Sequence, residues 1–399
     1  MSSIPPSRLR LLSAAVALLV CASARADISD TIHPFVAIGY TYDDNLLRLP
    51  DDFAGVTQRS DTARQAQAGL IVDRPIGRQR LTGSAKVSRV TFDHYNELDY
   101  NGKDFKGDLA WQLGNRFSGN LGGTYQQTLT PFTDFHTSER NLRVQRQEYV
   151  NGAWRLHPSW QVRSGYTRSR YEYELQAQSI NNREEDLTEV GFDFLAASGS
   201  RFGLVARRLE GKYTNPSRTN ALFRDGYTQD ELKANVRWNF SAVTQLNVLA
   251  GYAKREYESL SGRDSSGANG RVTLLWAPLN KVKFTVDGWR NFAAVESTLV
   301  SNSLNTGASV GATWDISAKL QANASMRREE REFEQLSTVV FDGDVTDRTR
   351  GATLGLTYAP TLQSQVSLSA FRDNRDGNTL LRTNSYRAKG LSFNASVQF

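Results

Sequence analysis

The sequence predicts an all-β fold: a transmembrane antiparallel up-and-down β-barrel of about eighteen strands, with sixteen as the alternative count, after a cleaved signal peptide. Three observations carry this. Apolar and polar residues alternate along nearly the whole chain after residue 26, the two-residue period of a strand. Short and long connections alternate between those runs, as in barrels whose two ends face different compartments. The last stretch, "LSFNASVQF", keeps alternating up to its final aromatic residue.

Taken in order, "MSSIPPSRLR" carries Arg8 and Arg10 and no acid. "LLSAAVALLV" is a short apolar run, and "CASARAD" sets Ala24 and Ala26 in the A-x-A arrangement. This is a secretory signal over residues 1–26, with cleavage expected after Ala26. The run is too short to span a bilayer. Cys21 raises a lipoprotein alternative, against which stands Val20, where such signals want a small residue. Removing the leader removes the chain's one cysteine. Disulfides, thiolate catalysis and zinc–thiolate sites are thereby excluded from the mature chain. Three arginines leave with it, so the formal charge falls from +6 to +3, and a nucleic-acid partner is not expected. No later stretch approaches ~18 consecutive apolar residues, so no second helix crosses the membrane.

Residues 27–399 read as one barrel domain with no internal boundary. "DELKANVRWNF" sets Leu232, Ala234, Val236, Trp238 and Phe240 against Glu231, Lys233, Asn235, Arg237 and Asn239. "KVKFTVDGW" sets Val282, Phe284 and Val286 against Lys281, Lys283, Thr285 and Asp287. "KLQANASMR" sets Leu320, Ala322, Ala324 and Met326 against Gln321, Asn323, Ser325 and Arg327. Each is a strand with one apolar and one polar face. The mature prolines are expected at strand starts or between strands, because proline cannot donate to the ladder: Pro34 opens the first strand, and Pro75, Pro158, Pro278 and Pro360 fall in short connections. Long connections are expected over 43–61, 93–100, 130–140, 174–185, 214–226, 258–266, 294–301, 333–347 and 376–381. The mature chain then allots about 21 residues to each strand plus connection, enough for a tilted membrane strand of ~9–11 residues.

The apolar face is expected to point outward, into lipid. Charge recurs on the polar face strand after strand, which a hydrated lumen tolerates better than a packed core. Trp111, Trp154, Trp160, Trp238, Trp276 and Trp314 sit beside short turns, with Trp289 the exception. Tyr42, Tyr95, Tyr100, Tyr171, Tyr173, Tyr213, Tyr227 and Tyr257 sit beside long loops. Two such sets predict two interfacial aromatic belts. The C-terminal residues Leu391, Phe393, Val397 and Phe399 resemble the closing signal of bacterial outer-membrane barrels. That resemblance implies recognition by the barrel assembly machinery, short turns in the periplasm and long loops outside. The first long loop, with "LLRL" at 46–49, is the candidate for folding into the lumen, a mobile outer loop being the other reading.

No catalytic constellation emerges. His33 falls before the first strand, His94 and His136 in outer loops, and His157 at a periplasmic turn. The acids of "YDDN" (Asp43, Asp44), "PDD" (Asp51, Asp52) and "DGDVTD" (Asp342, Asp344, Asp347) lack the spacing and closing glutamate of a calcium loop and read as solvated loop charge. No enzyme activity, cofactor or metal is expected. The functional candidates are inward charges: Lys106, Asp108, Glu231, Lys233, Arg237, Lys281, Lys283, Asp287, Arg327 and Glu329. They either focus anionic solutes or pair across strands to rigidify the wall.

"DTIHPFVAIGYTYDDNLLRLPDD" (30–52), above all its "YTYDDNLLRLPDD", and "NLRVQRQEYVNGAWRLHPSWQVRSGY" (141–166) resemble the EpsL-like outer-membrane proteins of exosortase-associated exopolysaccharide clusters. These lie within the wider "putative β-barrel porin 2" group. The resemblance implies a passive conduit in the bacterial outer membrane, taking part in export or surface assembly of an extracellular polysaccharide. Its expected partners are outer-membrane lipid, the polymer and periplasmic export proteins. The alternatives are a general or uptake porin and a non-conducting structural barrel.

Overall fold

The computed structural model describes residues 31–53, 55, 58–133, 136–215, 226–258, 264–295, 302–333, 345–378 and 383–399. The expected signal peptide, with Cys21 and the expected cleavage residues Ala24 and Ala26, lies outside them. Eighteen strands form one sheet: β1 (Ile32–Asp43), β2 (Asp61–Ile76), β3 (Gln79–Phe92), β4 (Tyr100–Leu113), β5 (Phe117–Leu129), β6 (Leu142–His157), β7 (Trp160–Tyr173), β8 (Arg183–Leu195), β9 (Arg201–Tyr213), β10 (Tyr227–Ser241), β11 (Thr244–Tyr257), β12 (Ser265–Leu279), β13 (Val282–Ala294), β14 (Asn302–Asp315), β15 (Leu320–Phe333), β16 (Thr346–Tyr358), β17 (Ser364–Asp376) and β18 (Tyr386–Gln398). Each pairs with its sequence neighbours, and β1 pairs antiparallel with β18 from Phe35↔Gln398 to Asp43↔Gly390. The sheet is therefore a closed up-and-down barrel with no free edge. Closure matters because an open edge in hydrocarbon leaves peptide groups without partners. Even the terminal amide is used: Phe399 N donates to Pro34 O at 2.7 Å.

Parity fixes the two faces. The apolar set points out, where Met326 is 71%, Leu354 64% and Leu232 61% exposed. In water each such side chain would forgo about 1.5–3 kcal/mol of burial; lipid supplies the missing apolar surroundings. The strands run 12 to 16 residues, longer than the ~9–11 needed to cross. The excess lies at the long-loop end, where outward residues turn charged and pair across strands, as Arg208 does with Asp230 at 2.7 Å and Arg168 with Glu184 at 2.7 Å. At the short-turn end Trp154, Trp160, Trp238, Trp276 and Trp314 are all exposed on the outside. Several stack on phenylalanines, including Phe117–Trp154 at 5.8 Å and Trp276–Phe284 at 5.3 Å.

Several expectations need correction. The tyrosine belt does not exist as read. Only Tyr42 of that set faces lipid, 44% exposed, whereas Tyr173, Tyr227 and Tyr257 are buried. Tyr171, Tyr173, Tyr213, Tyr227 and Tyr257 share the odd parity of the inward residues on their strands. Closeness to a loop says nothing about parity, and that is why the sorting misled. The outward aromatics toward that end include Tyr40, Tyr42, Phe105, Tyr166 and Tyr252. Pro75 and Pro278 lie within β2 and β12 rather than between strands. Both are in the last two residues, and Pro278 falls where the β12–β13 register shifts, so neither interrupts a central ladder. His33 lies inside β1, opposite Ile71.

Candidate functional site: the inner wall and the outer mouth

The inward faces of β7 to β10 carry a chain of alternating charge. Asp193, fully buried, meets Arg163 at 3.0 Å, and Arg163 meets Glu189 at 3.6 Å. Glu189 meets Arg207 at 3.4 Å, Arg207 meets Glu231 at 2.7 Å, and Glu231 meets Lys233 at 2.8 Å. Lys233 ends the series by donating to Asn269 on β12 at 2.6 Å. Lys233 is only 3% exposed. A buried cation of this kind persists only where each donor is answered, and here neighbouring strands answer it.

The sequence-selected charges therefore separate into two groups. Glu231 and Lys233 belong to that ladder. Asp108 accepts hydrogen bonds from Asn120 at 3.0 Å and Tyr149 at 2.6 Å. Asp287 accepts from Thr273 at 2.6 Å. Arg327 and Glu329 bridge each other at 2.8 Å. These six are engaged in the wall, though Arg327 stays 59% exposed. Lys106 and Arg237 are exposed on the inner face, and neither has an ion pair among the described residues. Lys281 is exposed in the β12–β13 turn. Lys283 is 62% exposed and 3.9 Å from Asp315. Lys283 lines a cavity of about 760 Å³ at the short-turn end, with Gln245 and Thr285. A second, of about 850 Å³, is lined by Gln67, Lys86 and Gln365. Open space with polar side chains in its lining thus lies at the short-turn end of the barrel.

Trp289, the tryptophan that broke the belt pattern, points inward. Its indole N–H donates to Glu329 at 2.7 Å. The guanidinium groups of Arg327 and Arg271 lie 4.9 and 5.4 Å from its ring centre. Its ring packs beside Gly307, where a Cβ would run into the indole. Gly307→Val is accordingly expected to cost about 1–3 kcal/mol by overpacking and to shift the tryptophan emission. A calorimetric scan and an emission spectrum both matching the parent would contradict this placement.

The outer half differs because two loops turn inward there. Leu47 and Leu49 pack against Val90, Phe92 and Leu98, the last in a single-turn 3-10 helix. Asn45 organises the turn. Its side chain accepts from Leu49 N at 2.9 Å and donates to Leu49 O at 2.8 Å and to Arg387 O at 3.0 Å. Arg48, with φ of 56°, is the one described non-glycine residue in the left-handed region, a conformation a β-carbon disfavours. A 2.8 Å bridge to Asp43 holds it there. Burial alone would lower the Arg48 pKa, but the hydrogen bond and charge of Asp43 outweigh it and raise it above its usual value. The second loop, between β5 and β6, reaches across the mouth. Its Thr133 carbonyl accepts from Arg375 of β17, and His136 Nδ1 donates to Leu47 O at 3.0 Å.

Arg375 is itself held by Asp347, which is fully buried and also pairs with Arg331 at 2.7 Å. Asp43 and Asp347 are thus structural acids rather than solvated loop charges; Asp342 and Asp344 lie outside the described residues. Facing this across the mouth, Tyr227 donates to Glu185 at 2.6 Å. Arg255 lies 4.4 Å above the Tyr227 ring and donates to Gln229 at 2.8 Å. Sequence reasoning missed Arg163, Glu189, Asp193, Arg207, Arg331 and Arg375. Parity alone would have placed each inside.

Among the described residues no group of three His, Cys, Asp or Glu could hold a metal. The histidines serve local structure: His94 donates to Asp61 at 3.3 Å, and His157 accepts from Ser159 N at 3.3 Å.

A family model described as "Putative beta-barrel porin 2" matches residues 211–399, a little under half the chain. No curated protein matches. The fold is similar to that of the outer membrane protein opdK from Pseudomonas aeruginosa, at 9% identity and a TM-score of 0.50, over 93% of this chain and 99% of that one. OccK5 (OpdH) from the same organism gives 10% and 0.49, over 94% and 100%. Acinetobacter baumannii OccAB3 gives 12% and 0.48, over 93% and 100%. At these identities the opdK likeness speaks for the fold alone. The lipid-facing band, the closed barrel and the family match together identify a bacterial outer-membrane, porin-like β-barrel.

Proposed function

We propose that this barrel is a conduit for a polar polymer leaving the periplasm, and that it serves export of an extracellular polysaccharide. The single observation that carries the direction is the asymmetry of the lumen. Open cavities lie at its short-turn end, while its long-loop mouth is narrowed by two inward-packed loops. Such a conduit fills from inside and opens outward when the loops give way. The polysaccharide itself rests on the resemblance of residues 30–52 and 141–166 to EpsL-like proteins, a region outside the 211–399 family match. The barrel would act passively, with polymerisation and energy supplied by periplasmic partners.

Purified barrel in planar bilayers tests this. Low resting conductance, modulated by the exported polymer, is the expected result. Large, steady conductance indifferent to the polymer would instead identify a general or uptake porin, which fold and family match accommodate equally. A second reading, the non-conducting structural barrel, is favoured by the packed mouth; absence of conductance after the mouth is loosened would establish it.

The exposed lysines give a further test. Lys281→Glu with Lys283→Glu reverses one charge that lines the 760 Å³ cavity and one in the adjoining turn. It is expected to move the reversal potential toward cation selectivity. An unchanged reversal potential would remove these lysines from the ion path.

A further inference from the structure

On β15–β18, the outward positions just beyond the apolar band are Arg328, Arg350, Arg372 and Lys389, all exposed. Arg328 stands directly opposite Arg350, and Arg372 directly opposite Lys389. Arg350 and Arg372 are diagonal neighbours, since Ala352 opposes Arg372 and Arg350 opposes Asn374. Like charges directly opposite on adjacent strands destabilise a sheet. Elsewhere at this level the barrel avoids the problem by pairing: Arg64 meets Asp93 at 2.8 Å, and Arg208 meets Asp230 at 2.7 Å. In the row of four, the one ion pair among the described residues is Arg350–Asp376, a 3.8 Å contact with both side chains more than half exposed.

A groove of about 360 Å³ lies against this row on the membrane side. Ala308, Val310, Met326 and Ala352 line its floor, and Arg328, Arg350 and Arg372 its rim. The row covers three inter-strand steps of ~4.8 Å, about 14 Å in all. It sits at the long-loop end, opposite the start of β1 and the end of β18, the end that the proposed direction of the conduit sets in the outer leaflet.

We propose that this row binds an outer-leaflet lipid whose head group carries more than one phosphate, the chemistry of lipid A. One phosphate lies between Arg328 and Arg350 and a second between Arg372 and Lys389; an acyl chain occupies the groove. Arginine is suited to this because its planar donors match phosphate oxygens two at a time. The bound phosphates also remove the repulsion that the bare row carries. The proposal is independent of what crosses the lumen.

Native mass spectrometry of the folded barrel in detergent tests it, with lipid A, phosphatidylglycerol and phosphatidylethanolamine each added as probe. Lipid A is expected to remain bound preferentially and to resist millimolar inorganic phosphate. The quadruple variant R328Q/R350Q/R372Q/K389Q should lower lipid A occupancy by at least ~10-fold. R64Q/R208Q, which removes paired arginines at the same level, should leave it unchanged. Heat-modifiable gel mobility reports folding. If the quadruple variant fails to fold, R328Q and K389Q singly should each still lower occupancy. Equal retention by the variants, equal binding of phosphatidylglycerol, or displacement by inorganic phosphate would each overturn the proposal.

Discussion

Replacing Leu47 and Leu49 together by alanine is expected to raise single-channel conductance severalfold while leaving the barrel folded. Both leucines are about 5% exposed, packed on Val90, Phe92 and Leu98. Truncating a buried leucine costs about 2–5 kcal/mol. That loss falls on one turn, not on the ladder of eighteen paired strands, so the turn opens locally before anything else does. Arg48 adds to the imbalance, because its left-handed φ is stable only while the packed turn and the Asp43 bridge hold it. The Leu47 carbonyl also receives His136, so the second loop loosens with the first. Bilayer recordings give the conductance, and hydrogen exchange over residues 43–50 confirms the opening. An opened turn with unchanged conductance would mean that the mouth is not the barrier.

Asp347→Ala should produce the largest loss of stability of any single change considered. Asp347 is fully buried between Arg331 and Arg375, themselves 14% and 1% exposed. Removing the anion takes the shared carboxylate from two arginines, one of them buried, a defect worth up to about 3–5 kcal/mol. It also frees Arg375 from the geometry in which it donates to Thr133. Faster exchange is expected at the outer ends of β15, β16 and β17, together with residues 130–133. Glu332→Ala, at an exposed outward position nearby, should stay within ~0.5 kcal/mol of the parent. Equal effects of the two substitutions in a thermal melt would show that the buried triad holds nothing together.

The architecture was legible because barrels write it in parity and rhythm. Most long connections fall within a residue or two of the strand ends, as with β1 ending at Asp43 and β2 beginning at Asp61. The last is the exception: β18 begins at Tyr386, later than a connection ending at 381 implies, since Leu380 and Leu381 imitate the start of an apolar run. Partnerships were not legible. Thr133 and Arg375 lie 242 residues apart, and nothing local to "DGDVTD" distinguishes a buried Asp347 from a solvated acid. The tyrosines failed for a different reason. Their position beside loops was correct, but the face they occupy follows the alternation of their own strand, which closeness to a loop does not report.

The most direct test uses the absence of cysteine from residues 22–399. Ser325 and Met326 are adjacent on β15, both exposed, with Ser325 on the inward face and Met326 on the outward face. Each is replaced singly by cysteine in cells, and a small, membrane-impermeant, hydrophilic thiol reagent is applied from either side. Ser325→Cys is expected to react readily from the periplasmic side and slowly from outside, and Met326→Cys to resist the reagent from both. Equal reaction of Ser325→Cys from the two sides would contradict a narrowed outer mouth. Ready reaction of Met326→Cys would contradict the lipid-facing exterior on which the whole account stands.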